Sequence, residues 1–259
     1  MLGQPKNGRS RVVKRYFYAI VLAVLTFIAI PFIAAAQETG VTAGEVEVTS
    51  GDQAYQSYLA APASGGPYPA VILVHSFRGL EEGYRTMTDQ LAAEGFVVLA
   101  VGWQTFAQDP GDDVMQQLVE DSIAFLSARE DVDPARIGFT GFCAGGRYTM
   151  LYLPQVEGIK AGVAWYGFPN NPGSSVAPAS LVDQLDVPML IIHGTEDQPS
   201  PIAGIYEYAN QLQAADAYFE LKVYSGEPHG FMLSGGTLRT DDVAQDAFNE
   251  MADFFKRKL

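Results

Sequence analysis

From residue 70 onward, short continuous apolar runs alternate with amphipathic stretches. Runs at residues 70–74 and 96–101 are typical of strands that are covered on both faces of a sheet. Between and after them, residues 81–94 and 114–129 place apolar side chains at helical spacing. This alternation predicts βαβ units with right-handed crossovers, and hence a mostly parallel central sheet flanked by helices on both faces.

The same alternation continues to the end of the chain. Further strands are predicted at residues 137–140, 161–166, 189–192 and 218–224, and further helices at residues 202–214 and 241–258 and from about residue 144. Residues 167–188 form a long Pro-, Gly- and Ser-rich connection, which predicts a lid or the rim of a site. Upstream, residues 45–49 and 54–60 predict a strand pair joined at Gly51 and Asp52.

The N-terminal segment has a different pattern. Five positive charges and no acid lie in the first fifteen residues, and an apolar run follows over residues 16–36, which ends in three alanines. This predicts a cleaved signal peptide, with a retained membrane anchor as the alternative because the run is long enough to span a bilayer. We therefore divide the chain into residues 1–36, a linker at 37–44, and one domain at 45–259, and expect export to the periplasm or cell exterior, or anchoring to the membrane.

Composition narrows the class of partner. The net charge is −14 and the basic residues concentrate at the N-terminus, so the domain itself is more acidic still and repels nucleic acid and anionic lipid. With one cysteine, Cys143, the chain can form no internal disulfide and no Cys/His zinc cluster. We expect no metal, no nucleic-acid partner, and membrane contact only through residues 16–36; the oligomeric state is left open.

That cysteine lies in the stretch Gly141-Phe-Cys-Ala-Gly145, between a predicted strand and a predicted helix. The pattern is that of a nucleophile elbow with cysteine in place of serine. The turn is so tight that the residues two positions before and after the nucleophile must be small. Candidate oxyanion donors are the backbone N–H groups of Ala144 and, across the site, of Phe77. An isolated cysteine is otherwise most often an inert buried side chain.

Two further residues follow predicted strands at the same edge of the sheet. Asp197 lies five residues after Ile192, and His229 five residues after Tyr224. Since reactive groups gather beyond the carboxyl ends of parallel strands, we expect Cys143, Asp197 and His229 to meet there. The order nucleophile, acid, histidine is that of α/β-hydrolases. Cys143 would form an acyl intermediate, His229 would move the proton, and Asp197 would orient the imidazole.

Other roles remain open for several of these residues. Asp197 could cap a turn before Pro199, and Glu196 is a rival acid. His75 and His193 lie at predicted strand ends, where a structural role is favoured. Candidate substrate-binding residues are Arg78, Trp103, Arg147 and Tyr166. Arg147 could instead pair with an acid at the edge of the core, and Phe77, Trp103, Trp165 and Tyr166 could line the pocket or belong to the core.

At these motifs the chain resembles the dienelactone hydrolase family. The resemblance rests on Gly141-Phe-Cys-Ala-Gly-Gly146, Gly194-Thr-Glu-Asp197 and His229-Gly-Phe231, and it covers about residues 45–258. It implies a compact α/β-hydrolase fold and cofactor-free hydrolysis of dienelactone to maleylacetate by a Cys-His-Asp triad. By that resemblance Cys143, His229 and Asp197 take those roles.

The sequence departs from the family's pattern at two positions. Where the best-known members have a glutamate near the resting cysteine, this chain has Ser76, and where they have a substrate-gripping arginine after the histidine, it has Leu233. Unless Arg78 or Arg147 substitutes, a substrate carboxylate lacks a clamp. We therefore expect a hydrolase of small esters or lactones other than the family's namesake substrate. The alternatives are a thioesterase or peptidase, and a non-catalytic binding protein, on the same fold.

Overall fold

The computed structural model of the protein describes residues 40–170 and 176–259. The predicted signal peptide or anchor at residues 1–36 lies outside these ranges and stays a prediction. Within the described ranges, no helix combines the length and apolar character needed to cross a bilayer. The described residues belong to one compact unit. The division of the chain into residues 1–36, 37–44 and 45–259 stays a prediction.

Ten strands and five α-helices are present in residues 40–170 and 176–259. The strands are β1 Val41–Ser50, β2 Gln53–Pro62, β3 Tyr68–Val74, β4 Val97–Val101, β5 Val132–Phe142, β6 Ile159–Trp165, β7 Met189–Gly194, β8 Phe219–Tyr224, β9 Leu233–Ser234 and β10 Thr237–Leu238. The helices are α1 Glu82–Ala93, α2 Asp112–Ser127, α3 Ala144–Tyr152, α4 Ile202–Ala214 and α5 Asp242–Lys258. Each predicted helix is present within two residues of its predicted start.

Eight of these strands form one sheet in the order β1-β2-β4-β3-β5-β6-β7-β8. The pairs from β4 to β8 are all parallel, whereas β1 with β2 and β2 with β4 are antiparallel. The fold is therefore the predicted α/β arrangement with a mostly parallel sheet. The strand order reverses direction at β3, next to β5, so the carboxyl ends of both strands open onto one crevice.

Two apolar cores cover the sheet, one on each face. Successive residues of β3 divide between them. Ile72 belongs to the core that includes Leu118 of α2 and Ile205 of α4, whereas Leu73 belongs to the core that includes Met87 of α1 and Met251 of α5. Because both faces are covered, the central strands are apolar at every position rather than at every second one. The continuous apolar runs in the sequence thus have the predicted cause.

Three details differ from the sequence-based expectations. Residues 41–44, predicted as the end of a linker, begin β1 and pair with the far end of β2, for example Val41 with Pro62. Residues 178–184 of the long connection form a 3₁₀ helix, Pro178–Gln184. A small hairpin, β9–β10, follows His229 and packs on α1, where the Gly83 N–H donates to the Gly236 carbonyl at 2.8 Å. The hairpin was not predicted because strands of two residues are too short to show a periodic pattern of apolar positions.

Candidate active site

Cys143 occupies the sharp turn between β5 and α3. Its backbone has φ +59° and ψ −110°, a left-handed φ that is strained for a side chain with a Cβ. A Cβ on Gly141 would overlap the carbonyl of Gly145, and one on Gly145 would overlap the carbonyl of Val74. The strand, the turn and the neighbouring strand therefore approach so closely that only glycine fits at these two positions, as the spacing predicts.

The acid and the histidine meet at the carboxyl ends of β7 and β8. The carboxylate Oδ2 of Asp197 accepts a hydrogen bond from His229 Nδ1 at 2.7 Å, and Oδ1 accepts one from the Ser200 N–H at 2.7 Å. Asp197 thus makes the contacts expected of both roles weighed from the sequence, since one oxygen accepts from a turn N–H and the other from the imidazole. Glu196, the rival acid, is exposed.

The surroundings of His229 favour its charged form. Burial alone disfavours the imidazolium, but hydrogen bonds to Asp197 and Cys143, together with their negative charges, outweigh it and raise the pKa of His229 to about 9. With Nδ1 facing Asp197, the other ring nitrogen is the one available to the sulfur. An imidazolium with a carboxylate on one side and a sulfur on the other is suited to proton transfer.

A single cavity of about 430 Å³ contains both Cys143 and His229. Its lining residues are Ser76, Phe77, Arg78, Glu81, Tyr84, Cys143, Tyr166, His229, Gly230, Leu233, Gly235 and Gly236. The cavity therefore includes Ser76 and Leu233, the two positions at which the sequence departs from the family's pattern. A volume of this size suits a small organic substrate.

The two predicted oxyanion donors lie at this cavity or beside it. Ala144 is the first residue of α3, so its N–H has no acceptor within the helix and faces the turn that holds the sulfur. Phe77 lines the cavity, and its carbonyl accepts hydrogen bonds from the side chains of Gln104 at 3.2 Å and Gln108 at 2.9 Å. These bonds hold the loop after β3 in place.

The four candidate substrate-binding residues separate into two pairs. Arg78 and Tyr166 line the cavity. The guanidinium of Arg147 instead binds both carboxylate oxygens of Asp112, each at 2.7 Å, and does not line the cavity. Trp103 is buried and donates its indole N–H to the His75 carbonyl at 3.1 Å. Among the candidates, Arg78 is thus the one cation placed to meet a substrate carboxylate.

The remaining histidines are buried. Desolvation lowers the pKa of His75 to about 4, and its ring stacks on Trp103, as fits the predicted structural role. His193 donates its Nε2–H to the Ser200 carbonyl at 2.8 Å and lies 3.4 Å from Asp197 Oδ2. Burial also lowers the pKa of His193. This neutral ring packs against the carboxylate that holds His229.

Sequence reasoning missed several residues that line the cavity. Glu81, immediately before α1, contributes a half-buried carboxylate, and Tyr84 of α1 contributes a buried ring. The sequence did contain a signal for Glu81, since this acid directly follows the loop that was predicted to supply an oxyanion donor. Tyr166 has a property that sequence cannot reveal, because its buried hydroxyl has no hydrogen-bond partner among the described residues.

Comparison with known proteins gives matches over most of the chain. The dienelactone hydrolase family matches residues 55–103 and 101–259. A candidate carboxymethylenebutenolidase of Methylorubrum extorquens is 31% identical over 244 residues, which cover 86% of this chain and 84% of that protein. These matches span the domain that contains the cavity and all three triad candidates.

Solved structures give the same result for the fold. A candidate dienelactone hydrolase from Klebsiella pneumoniae superposes with a TM-score of 0.77 at 27% identity and covers 84% of this chain and 99% of its own. A dienelactone hydrolase-like promiscuous phosphotriesterase from metagenomic libraries superposes with a TM-score of 0.71 at 18% identity, covering 84% and 98% of the two chains. At that identity, the second likeness concerns the fold alone.

Proposed function

Because the chain belongs to the dienelactone hydrolase family and is therefore an ester or lactone hydrolase, we propose that it acts through a Cys143-His229-Asp197 triad and a covalent acyl-enzyme. The observation that supports this most strongly is that a cysteine on a strained elbow shares one cavity with a histidine bound to a buried carboxylate. Each group is placed for one step of nucleophilic catalysis.

In the first half-reaction, the sulfur attacks the carbonyl carbon of the ester or lactone. The negative charge that develops on the carbonyl oxygen is stabilised by the N–H groups of Ala144 and Phe77. The imidazolium of His229 then donates its proton to the departing alkoxide, the C–O bond breaks, and a thioester remains on Cys143. For a lactone, the alkoxide stays on the same molecule as the acyl group.

In the second half-reaction, the neutral imidazole of His229 takes a proton from water. The resulting hydroxide adds to the thioester, the C–S bond breaks, and the carboxylic acid leaves. Throughout, the Asp197 carboxylate accepts the Nδ1–H bond and keeps the other nitrogen directed to the reaction. The cycle needs only water and the substrate, and it returns Cys143 and His229 to the forms in which they began.

The charges around the cavity support a neutral or weakly charged substrate. Arg147 is already paired with Asp112, and Leu233 is apolar. The lining of the cavity combines the acid Glu81 with the cations Arg78 and His229. A substrate carboxylate would therefore meet both attraction and repulsion. We propose small neutral esters and lactones as the substrate class, rather than the anionic dienelactone.

Paired substrates test this proposal directly. The purified protein should hydrolyse small aryl esters and lactones, and a matched substrate with one added carboxylate should show a kcat/KM about 10-fold lower or more. The Glu81→Gln variant should narrow this difference, because it removes the repelling charge. Faster hydrolysis of the carboxylate-bearing partner, reversed in Arg78→Gln, would contradict the assignment and identify Arg78 as a carboxylate clamp.

Tyr166 is the second group proposed to contact substrate. Its phenol is buried, lines the same cavity as Cys143 and has no hydrogen-bond partner in the part of the chain that the structure describes. Leaving a buried polar group in this state costs about 1–3 kcal/mol. Burial is the main cause that raises the pKa of Tyr166, so the phenol stays protonated and can donate. We propose that it donates a hydrogen bond to an oxygen of the bound ester.

Tyr166→Phe should therefore lower kcat/KM about 10-fold while leaving the melting temperature unchanged or slightly raised. The phenyl ring keeps the packing and removes the unsatisfied hydroxyl, so stability and activity should move independently. Tyr208→Phe is the matched control, since it removes another buried hydroxyl outside the cavity and should change neither kcat nor KM. Full activity in Tyr166→Phe would show that the phenol makes no contact with substrate.

A further inference from the structure

The segment that contains His229 is an irregular loop between β8 and the β9–β10 hairpin. Its Pro228 and Gly230 neighbours provide no side-chain hydrogen bonds. The imidazole itself is held at Nδ1 by Asp197 and by ring contacts with Tyr166 and Phe168, none of which fixes the backbone of the loop. Loops of this kind are mobile unless another group ties them down, and catalysis requires the imidazole within a fraction of an ångström of its position.

Arg239, just after β10, supplies that tie. Its Nη1 donates to Glu227 Oε2 at 2.6 Å and to the Phe231 carbonyl at 2.8 Å, and its Nη2 reaches Glu227 Oε1 at 3.3 Å. Glu227 lies two residues before His229, and Phe231 lies two residues after it. One guanidinium therefore bridges the two sides of the loop that displays the catalytic imidazole.

The same guanidinium is fixed from behind. Arg239 Nε donates to Asp241 Oδ2 at 2.7 Å, and Asp241 Oδ1 accepts from the Ala244 N–H at the start of α5. The Glu227 carbonyl also accepts from the Glu196 N–H at 3.0 Å, so the loop is joined to the residue that precedes Asp197. The tie thus connects the histidine loop to helix α5 on one side and to the acid's loop on the other.

We propose that Arg239 is a positioning residue for His229 and sets the geometry of the His229–Asp197 pair without touching substrate. The inference rests on the proposed triad. Arg239 lies outside the residues that line the Cys143 cavity, so its effect must pass through the loop. The planar guanidinium donates to four acceptor atoms on three residues, more than the three N–H donors of an ammonium group can serve.

The test compares Arg239→Met with Arg257→Met. Arg257 also forms a surface ion pair, with Glu220 at 2.7 Å, but on the C-terminal part of α5 and away from the histidine loop. Arg239→Met should lower kcat about 10- to 100-fold with little change in KM, the signature of a misplaced catalytic group. Arg239→Lys should recover only part of this loss, and Arg257→Met should retain the kcat of the unchanged protein.

A spectroscopic measurement separates positioning from simple loss of stability. The chain has three histidines, so the imidazole resonances can be assigned by replacing each one in turn. In the unchanged protein His229 should titrate with a pKa of about 9. In Arg239→Met, measured well below its melting temperature, that pKa should fall towards the ordinary value as the contact with Asp197 loosens.

The outcomes distinguish this inference from the proposed function. If the unchanged protein hydrolyses no ester, the proposed function fails, while the His229 titration still reports on Arg239. If Arg239→Met melts earlier but keeps its kcat and its His229 titration, Arg239 is merely structural and the inference is overturned. Should Arg239→Met not fold, Glu227→Gln weakens the same bridge from the loop side and should lower kcat several-fold; an unchanged kcat there overturns the inference equally.

Discussion

Replacing Cys143 with alanine should lower kcat for activated esters by about 10⁴-fold or more, because it removes the sulfur on which the proposed acyl intermediate forms. The fold should survive. Cys143 is only half-buried and alanine keeps its Cβ, so the strain at φ +59° is the same in both proteins and little packing is lost. The melting temperature should therefore change far less than the activity.

Mass spectrometry checks the same prediction at the level of the intermediate. Protein quenched in acid during turnover should show the added mass of one acyl group on the peptide that contains Cys143, and the alanine variant should show none. Cys143→Ser is the matched control, since it keeps a nucleophile of similar shape that does not ionise near neutral pH and should retain slow turnover. Undiminished hydrolysis by Cys143→Ala would reject the nucleophile assigned here, and inactivity of the unchanged protein would favour a binding function.

The second large effect is expected at Asp197. Asparagine at this position should lower kcat/KM by about 10²- to 10⁴-fold, because its amide can present N–H to the Nδ1 of His229 and so favour the wrong tautomer. The other oxygen's bond to the Ser200 N–H can be retained by the amide oxygen, so the turn should stay intact. The carboxylate is buried, which makes its charge effective at short range.

The Asp197→Asn variant should also shift the pH profile of kcat/KM in one direction. Hydrogen bonds and charge from Asp197 and Cys143 raise the pKa of His229 above its ordinary value to about 9, so the imidazolium needed by the leaving group is lost only as the pH rises through that value. Without the carboxylate, the folded pKa falls and the alkaline decline of kcat/KM should move to lower pH.

Asp246→Asn is the control for this experiment. Asp246 also accepts a hydrogen bond from a ring hydroxyl, that of Tyr224 at 2.8 Å, but lies on the surface away from the cavity. Its replacement should leave the pH profile of kcat/KM unchanged. An unaltered profile in Asp197→Asn would mean that the carboxylate does not hold the charge of His229.

Much of the site could be derived from the sequence because the constraints there are local. The elbow needs small residues at fixed offsets from Cys143, which a short motif reveals. Parallel strands bring their carboxyl ends to one edge of the sheet, so the sequence alone predicts that Asp197 and His229 lie near the sulfur. The strands of a sheet that is covered on both faces likewise show in the sequence as continuous apolar runs. These features depend on backbone geometry that a short stretch of sequence encodes.

The rest depends on pairings between distant residues. Arg147 is matched by Asp112, 35 residues earlier in the chain, and Trp103 donates to the carbonyl of His75. The sequence around Arg147 and Trp103 does not indicate these partners, so the sequence allowed both residues to be proposed as lining the pocket. Glu81 and Arg239 were missed for the same reason, since their importance comes from a loop and a hairpin folded against them.

The close approach at the elbow has a consequence for how this chemistry can change over evolutionary time. The steric demands fall on Gly141 and Gly145, whose missing side chains let the backbones touch, while position 143 itself has room beside a cavity. Exchanging sulfur for oxygen there alters one atom and leaves the scaffold untouched. Descendants of such a protein can therefore move between thiol and alcohol nucleophiles by a single codon change, whereas enlarging either glycine closes that route.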